Sequence, residues 1–400
     1  MRSRIAYAAW GSLLCSAGGA FAWACTGSDP SFVAQADAGD VEPADAVADG
    51  AGEPQPDAVD RDADAADAAE LPNIVFVTSA TYNGKLGGLA GADAICNALA
   101  KDAGLGAGFV AWLSTASVNA SSRLGAARGW VRTDGKPFAD TVADLTAGKT
   151  LYPLTRDELG AETPNAMVWT GTGGNGTATT DRCSDWTDDG SAVGATQLGR
   201  YGTTRGGKSV WTNDSTARCD TELPLYCFQT SRSSVVVVPP PTGRVAFLSE
   251  SDFDPSTGLA AADAMCAAEG AAAGLGGTFK ALLATSTVSP ASRFDTSGPA
   301  WFRPDGVQLT AVAAFLSIDK LSAPIALHAD GSVSAGDVTA LAFTGSTSAA
   351  KVGSATCSDW SSSASSAQAT VGYASLFDAT YISGQLEPCS VPAGVYCFEE

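Results

Sequence analysis

Histidine and basic residues are scarce in this sequence of 400 residues. His328 is its one histidine, and 23 lysines and arginines stand against 43 aspartates and glutamates. Acid–base catalysis relies most often on histidine, and recognition of DNA or RNA needs a basic patch. The sequence therefore predicts a protein that is not an enzyme, has no catalytic residues and does not bind nucleic acid.

A long apolar run is also missing from the N-terminal region, where the apolar stretch covers residues 5–14 and follows two arginines. That length is too short for a transmembrane helix but is typical of a secretory signal peptide. We expect residues 1–24 to be the signal peptide. The next residue, Cys25, is expected to carry a lipid, although residues 22–24 also fit an ordinary A-x-A cleavage site.

Residues 25–72 have few side chains that could form a core. Residues 26–70 are mostly Ala, Asp, Glu, Gly and Pro, with 13 acidic side chains and Arg61 as the one basic side chain. Such a composition buries too little apolar area to offset the entropy of the chain. We expect a disordered acidic tether between the lipid and the rest of the protein.

Two long parts of the sequence repeat each other. GLAGADAIC at residues 88–96 returns as GLAAADAMC at 258–266, CSDW at 183–186 returns at 357–360, and YCF at 226–228 returns at 396–398. A period of about 170 residues is far longer than that of solenoid repeats. The sequence therefore predicts two complete domains, 73–229 and 244–400. The Val- and Pro-rich linker 230–243 is expected to hold them apart.

Each copy has four cysteines, which in an exported chain predict two disulfides per domain. In the first and second copies in turn, they are Cys96, Cys183, Cys219, Cys227, Cys266, Cys357, Cys389 and Cys397. Four cysteines allow three pairings, and their positions alone leave all three open. The spacings lack the close C-x-x-C or Cys/His pairs of a zinc site.

The apolar pattern of each copy predicts an α+β domain. One helical face carries Leu89, Ala92, Cys96, Leu99 and Ala103, a glycine follows as a stop, and the second copy repeats the pattern. Short apolar runs at 74–77, 109–113, 167–169 and 225–228 predict strands. The remainder is rich in Gly, Ser and Thr and predicts long loops.

The order of these residues resembles endostatin and, more broadly, the C-type lectin-like fold. The resemblance rests on the Gly/Ala/Asp/Cys helix, on the VWTG run at 168–171, on CSDW and on the terminal aromatic–Cys strand, and it covers both copies. Domains of this kind occur in uncharacterised bacterial surface lipoproteins. The resemblance implies two tandem domains with nested disulfides, pairing Cys96 with Cys227, Cys183 with Cys219, Cys266 with Cys397, and Cys357 with Cys389.

C-type lectins that bind sugar hold calcium with a Glu-Pro-Asn loop and a Trp-Asn-Asp strand, and the first copy has a broken version of each. Glu162 and Asn165 lie around one inserted threonine, and Asn213 and Asp214 follow another. Calcium takes about six to eight oxygen ligands, but one inserted residue turns the neighbouring side chains of a strand to opposite faces. These four residues are the candidate metal ligands, calcium in the first domain is the candidate cofactor, and a solvated loop is the alternative.

These features predict a non-enzymatic binding or adhesion lipoprotein that is displayed on the cell surface. Its expected partners are a polysaccharide or an extracellular protein, and its lipid is expected to anchor it in the cell envelope, at the outer membrane or cell surface. The alternatives are a structural envelope protein without a dedicated ligand and, third, a hydrolase. The first copy is expected to be the one that binds, because it is nearly neutral and retains the broken calcium motif.

Overall fold

The structure is a computed structural model that describes residues 71–163, 165–191, 197–310, 320–334 and 340–400. The predicted signal peptide, Cys25 and the tether up to residue 70 lie outside these ranges. None of the helices in these ranges is long and apolar enough to cross a membrane. Both copies mix helices with strands, as the sequence predicts, and we call them repeat 1 (73–229) and repeat 2 (244–400).

Repeat 1 is built from short strands and helices around one larger sheet. Its elements are β1 (Asn73–Val77), α1 (Gly88–Asp102), β2 (Phe109–Ala111), α2 (Ala120–Arg123), β3 (Trp130–Arg132), β4 (Pro137–Ala139), α3 (Val142–Thr146), β5 (Met167–Trp169), α4 (Cys183–Trp186), β6 (Leu198–Thr203), β7 (Ser215–Arg218) and β8 (Tyr226–Gln229). The strands form one sheet in the order β2-β8-β1-β3-β4 and another in the order β5-β6-β7. The first and last strands, β1 and β8, pair antiparallel at the centre of the larger sheet.

Repeat 2 has a similar order of elements but a more continuous sheet. Its elements are β9 (Arg244–Leu248), α5 (Leu259–Ala272), β10 (Phe279–Ala281), β11 (Trp301–Phe302), β12 (Leu341–Phe343), α6 (Cys357–Trp360), β13 (Gln368–Tyr373), β14 (Gln385–Pro388) and β15 (Gly394–Glu399). Because β12 pairs in parallel with β15, seven strands join into one sheet. At the equivalent place in repeat 1, Trp169 and Leu225 form an isolated bridge.

Helix α1 packs on the larger sheet of repeat 1 through the face that the sequence predicts. Ala92, Cys96 and Ala100 are fully buried, and Leu99 packs at the edge of the same cluster. The helix ends just ahead of Gly104, whose φ of 72° is a conformation that favours glycine. Small side chains on the buried face therefore let the helix lie close to the sheet.

Four disulfides join the helices and turns to the strands. They link Cys96 to Cys227, Cys183 to Cys219, Cys266 to Cys397, and Cys357 to Cys389. These are the pairs that the resemblance implies, with the shorter loop nested inside the longer one in each repeat. Disulfides in this number indicate an exported protein, because reducing compartments keep thiols free.

A buried arginine fixes the same corner of both repeats. Arg123 Nη2 lies 2.6 and 2.5 Å from the two carboxylate oxygens of Asp93 on α1, and Nη1 donates to Ala111 O on β2. Asp93 also accepts the backbone N–H of Ala111 at 2.9 Å. Arg293 and Asp263 make the equivalent contacts in repeat 2. The pair therefore ties the helix to the first strand that follows it.

The two repeats are in contact, so the expectation that the linker holds them apart is wrong. Both lie in one compact unit. The hydroxyl of Tyr152 accepts the backbone N–H of Gln308 at 3.0 Å, and Arg303 donates to Thr150 O at 3.0 Å. Tyr152 also packs against the hydrophobic core of repeat 2. Polar and apolar contacts together join the repeats.

The linker lies along the surface of the repeats. Val236 N–H donates to an Asp140 carboxylate oxygen at 2.8 Å, and Val238 packs against the core of repeat 2. Val235 and Val237 point outward and are 58% and 76% exposed. This alternation is that of an extended strand. Valines on the inward side therefore bind the linker to the domains. The stiffness of the prolines, from which the separation of the domains is predicted, does not indicate this contact.

Candidate functional site

The CSDW run forms a left-handed turn in both repeats. In repeat 1 the φ angles of Cys183, Ser184, Asp185 and Trp186 are 49°, 53°, 56° and 66°. Such angles cost residues other than glycine roughly 1–2 kcal/mol each, so the surroundings must hold the turn in place. The Cys183 disulfide and a 2.8 Å hydrogen bond from Trp186 Nε1 to Ser114 O do so.

The aspartate of the left-handed turn fixes a neighbouring loop. Asp185 Oδ1 accepts the backbone N–H of Ala116 at 2.8 Å and the Nε–H of Arg182 at 2.9 Å. In repeat 2, Asp359 Oδ1 accepts the backbone N–H of Ser286 at 2.7 Å. Hydrogen bonds from Ser286 hold the pKa of Asp359 below its ordinary value. The turn is therefore a structural feature that both repeats share.

The four predicted calcium ligands lie at one end of the β5-β6-β7 sheet. Glu162 and Asn165 precede β5, Asn213 and Asp214 precede β7, and β6 runs antiparallel to both strands. The topology therefore brings the two loops to the same end of the sheet.

The carboxylates among these candidates have different surroundings. Glu162 forms an ion pair of 3.0 Å with Lys320 of repeat 2, and that hydrogen bond lowers the pKa of Glu162. Burial raises the pKa of Asp214, while the charge of Arg205 opposes this shift. Within the described ranges, His, Cys, Asp and Glu side chains form no group of three or more that could hold a metal ion. The calcium site stays a prediction.

The tryptophan of the broken Trp-Asn-Asp motif belongs to the core. Trp211 is fully buried, with its ring 5.2 Å from that of Phe138 and 5.6 Å from that of Tyr226. Burial of Tyr226 raises the pKa of its phenol well above the ordinary value. Trp211 therefore offers no face on which a sugar ring could stack.

A polar cleft of about 470 Å³ opens beside the end of α3 in repeat 1. It is lined by Thr146–Gly148, Gly174–Asn175 and Lys208–Ser209. The walls approach closely because a glycine stands at position 174, where a Cβ would lie 2.7 Å from Ser209 Cβ. The shape of the cleft therefore depends on the glycine at position 174.

One residue that lines this cleft has a buried hydroxyl without a hydrogen-bond partner among the described residues. Ser209 is 6% exposed, and its Oγ makes no hydrogen bond with any described residue. Leaving a buried polar group unpaired costs roughly 1–3 kcal/mol. Thr146 and Asn175 line the same cleft. Hydroxyl and amide groups placed together in a concave site are suited to binding a polar ligand through hydrogen bonds.

Repeat 2 has a different groove, of about 500 Å³, which contains His328, Glu250 and Asp252. The Nδ1 of His328 lies 3.0 Å from Leu248 O. Because a carbonyl only accepts, Nδ1 carries the hydrogen in this contact. The buried Ser249 hydroxyl that lines the groove already donates to a backbone carbonyl at 2.9 Å. Among its described lining residues, the groove of repeat 2 therefore has no buried, unpartnered hydroxyl like that of Ser209.

Sequence reasoning does not find the cleft, because its lining comes from three loops that are far apart along the chain. A weak signal exists in the comparison of the copies. Ser209 and Lys208 of repeat 1 stand where repeat 2 has Ala379 and Asp378, so the copies differ at this point in polarity and charge. This difference draws attention to positions 208 and 209, but the sequence does not indicate that they line a concave site.

A scan of the sequence against protein-family models gave no match, and a search of curated proteins gave no match either.

Proposed function

We propose that the chain is an exported surface lipoprotein that binds a polysaccharide through the cleft of repeat 1 and does not catalyse a reaction. The observation that carries this proposal is the polar cleft lined by Ser209, a residue whose buried hydroxyl has no hydrogen-bond partner among the described residues. A sugar hydroxyl can both donate to and accept from such a group. A protein partner fits less well, because protein interfaces usually cover broad surfaces with aromatic or arginine anchors.

We also propose that each repeat has the C-type lectin-like, endostatin-like fold. Support comes from the order of the helix cysteine, the left-handed CSDW turn and the terminal strand, together with the nested disulfides. Pairing of the first and last strands at the centre of the larger sheet adds to this support. The broken calcium motif lies at one end of the smaller sheet.

A glycan and polysaccharide array tests the binding proposal. The folded, disulfide-intact protein is expected to bind at least one polysaccharide, and Ser209→Ala is expected to weaken that binding about tenfold, since a lost hydrogen bond contributes about 1.4 kcal/mol. Thr370→Ala is the matched control, because Thr370 in repeat 2 also has a buried, unpartnered hydroxyl but does not line the cleft. Silence of the native protein would instead favour a structural envelope role.

The same array tests calcium when it is run once with calcium and once with a chelator. Binding that requires calcium would support a metal site at Glu162, Asn165, Asn213 and Asp214, and Asp214→Asn should then abolish it. Binding that is equal under both conditions would count against the metal site and would be consistent with recognition in the cleft, which Ser209→Ala tests. The two outcomes separate the predicted metal site from the proposed cleft.

The proposed anchor depends on Cys25. Cells that express the native chain are expected to incorporate labelled palmitate into it, and Cys25→Ala is expected to remove the label and release the protein from the membrane fraction. Label that remains in Cys25→Ala would contradict the anchor, and a native chain without label would favour ordinary signal-peptidase cleavage.

A further inference from the structure

The loop that follows β6 in repeat 1 contacts the loop that follows β13 in repeat 2, and these loops are equivalent. The strands align with an offset of 170 residues: Gly202 lies against Trp211 O, and Gly372 lies against Tyr381 O. Continuing this offset, Arg205 corresponds to Ser375. We name residues 203–209 and 373–379 the pairing surface.

The backbone contacts across the pairing surface are reciprocal. Gly207 N–H donates to Ser375 O at 3.0 Å, and Phe377 N–H donates to Arg205 O at 3.2 Å. The two donors occupy equivalent positions in the repeats, and so do the two acceptors. A contact in which residue i meets j and j meets i is that of a two-fold symmetric dimer of identical subunits. The backbone therefore pairs the repeats as two copies of one domain would pair.

Side-chain sizes break this symmetry. Gly206 of repeat 1 lies against Leu376 of repeat 2, and Gly207 lies against Pro324 of repeat 2. A Cβ on Gly206 would lie 3.3 Å from Leu376 Cδ2, and a Cβ on Gly207 would lie 3.2 Å from Pro324 Cγ. Each Cβ would also meet an atom of repeat 1, at 2.9 Å for Val210 Cβ and 3.0 Å for Thr150 Oγ1. Leu376 and Phe377 are 6% and 5% exposed. Small residues on one side therefore make room for large residues on the other.

Charge also breaks the symmetry and, like side-chain size, favours pairing of repeat 1 with repeat 2. Arg205 of repeat 1 forms an ion pair of 3.5 Å with Asp378 of repeat 2. The position equivalent to Asp378 in repeat 1 is Lys208. Two copies of repeat 1 paired in this way would place Arg205 opposite Lys208, which is repulsive. Two copies of repeat 2 would place Ser375 opposite Asp378 and would crowd Leu376 against its own equivalent.

We infer that the pairing surface accepts only the unlike repeat: its backbone has the geometry of a homodimer, but its sizes and charges favour repeat 1 with repeat 2 and disfavour either repeat with itself. Specificity of this kind needs contacts that reject the wrong partner as well as contacts that attract the right one. The partner of each repeat is therefore the other repeat.

Hydrogen exchange in the full chain tests the contribution of charge to the pairing surface. It is measured at the two reciprocal amides, those of Gly207 and Phe377. Arg205→Glu is expected to speed exchange of both amides at least about tenfold, because Glu would face Asp378. Adding Asp378→Asn should restore exchange to within about threefold of native, since Asn removes the repulsion and still caps the turn that follows. Arg218→Glu is the control, because Arg218 pairs with the exposed Asp220 within repeat 1.

The contribution of side-chain size to the pairing surface is tested separately. Gly207→Phe gives both repeats phenylalanine at this position and is expected to speed exchange of the Phe377 amide at least about tenfold. Gly276→Phe is the control, because a Cβ at Gly276 has nothing within 4 Å. Unchanged exchange in both Arg205→Glu and Gly207→Phe would overturn the inference. So would failure of Asp378→Asn to slow exchange in the Arg205→Glu protein, because Arg205 also lies near Asp214 of its own repeat.

Discussion

Removal of the Cys96–Cys227 disulfide is expected to lower the free energy of unfolding by about 5 kcal/mol. The two cysteines are 131 residues apart, and both are fully buried between α1 and the larger sheet. A cross-link stabilises a fold mainly by restricting the unfolded chain, and the effect grows slowly with the length of the loop that it closes. Denaturant unfolding of the Cys96→Ala/Cys227→Ala protein measures the loss.

The inner disulfide provides the matched comparison. Cys183 and Cys219 are 36 residues apart, so their replacement by alanine is expected to cost about 4 kcal/mol. The left-handed turn adds a second effect, because the inner disulfide holds one end of this strained backbone. A loss below about 2 kcal/mol for the outer pair would show that restriction of the unfolded chain by this disulfide contributes less to stability than its loop length predicts.

Arg123→Met is expected to lower the free energy of unfolding by about 3 kcal/mol. The Arg123 side chain is 9% exposed, and it contacts both carboxylate oxygens of Asp93. Breaking a buried ion pair by removing one partner leaves the other charge uncompensated and typically costs about 3–5 kcal/mol. Because Asp93 is 28% exposed and can regain water, we expect the lower end of that range.

The control for Arg123→Met is Arg218→Met. Arg218 is 58% exposed and pairs with Asp220 at the surface, so its replacement should change stability by less than about 1 kcal/mol. Arg293→Met in repeat 2 should match Arg123→Met, since its contacts with Asp263 are the same. Equal small losses for Arg123 and Arg218 would show that the helix–strand corner does not depend on the pair.

The parts of the fold that follow from local pattern could be predicted from the sequence. The period of the apolar residues places α1, because its small side chains recur on one face and a glycine with positive φ follows the helix. The strand runs at 74–77 and 167–169 match β1 and β5 within one residue. The internal repeat then extends each prediction to the other copy.

The left-handed turn could not be predicted in this way. CSDW contains no glycine. Aspartate adopts a positive φ more readily than most residues, but local preference does not predict four consecutive residues in this conformation. Tertiary contacts impose the conformation, chiefly the Cys183 disulfide and the hydrogen bond from Trp186 to Ser114. The pairing surface and the cleft escape sequence reasoning for a related reason, since both bring together loops that are distant along the chain.

The internal repeat does not predict every contact, because equivalent loops can be held by residues at different positions. In repeat 1 the loop after β1 is held by Glu158, which accepts the backbone N–H of Ser79 at 3.0 Å. Repeat 2 has Ala329 at the matching position, and Glu269 on α5 accepts two backbone N–H groups of the equivalent loop instead. Glu269 in turn corresponds to Leu99. In both repeats a carboxylate accepts backbone N–H groups of this loop, but it comes from different positions in the two copies.

The central claim is that a polysaccharide binds in the cleft of repeat 1, and calorimetric titration of the polysaccharide with the strongest array signal tests it most directly. Ala147→Trp fills the exposed rim of the cleft, and Ala143→Trp places the same ring on the exposed side of α3, outside the lining. We predict that Ala147→Trp abolishes binding and that Ala143→Trp leaves it within about twofold of native. Native affinity in folded Ala147→Trp would contradict the account.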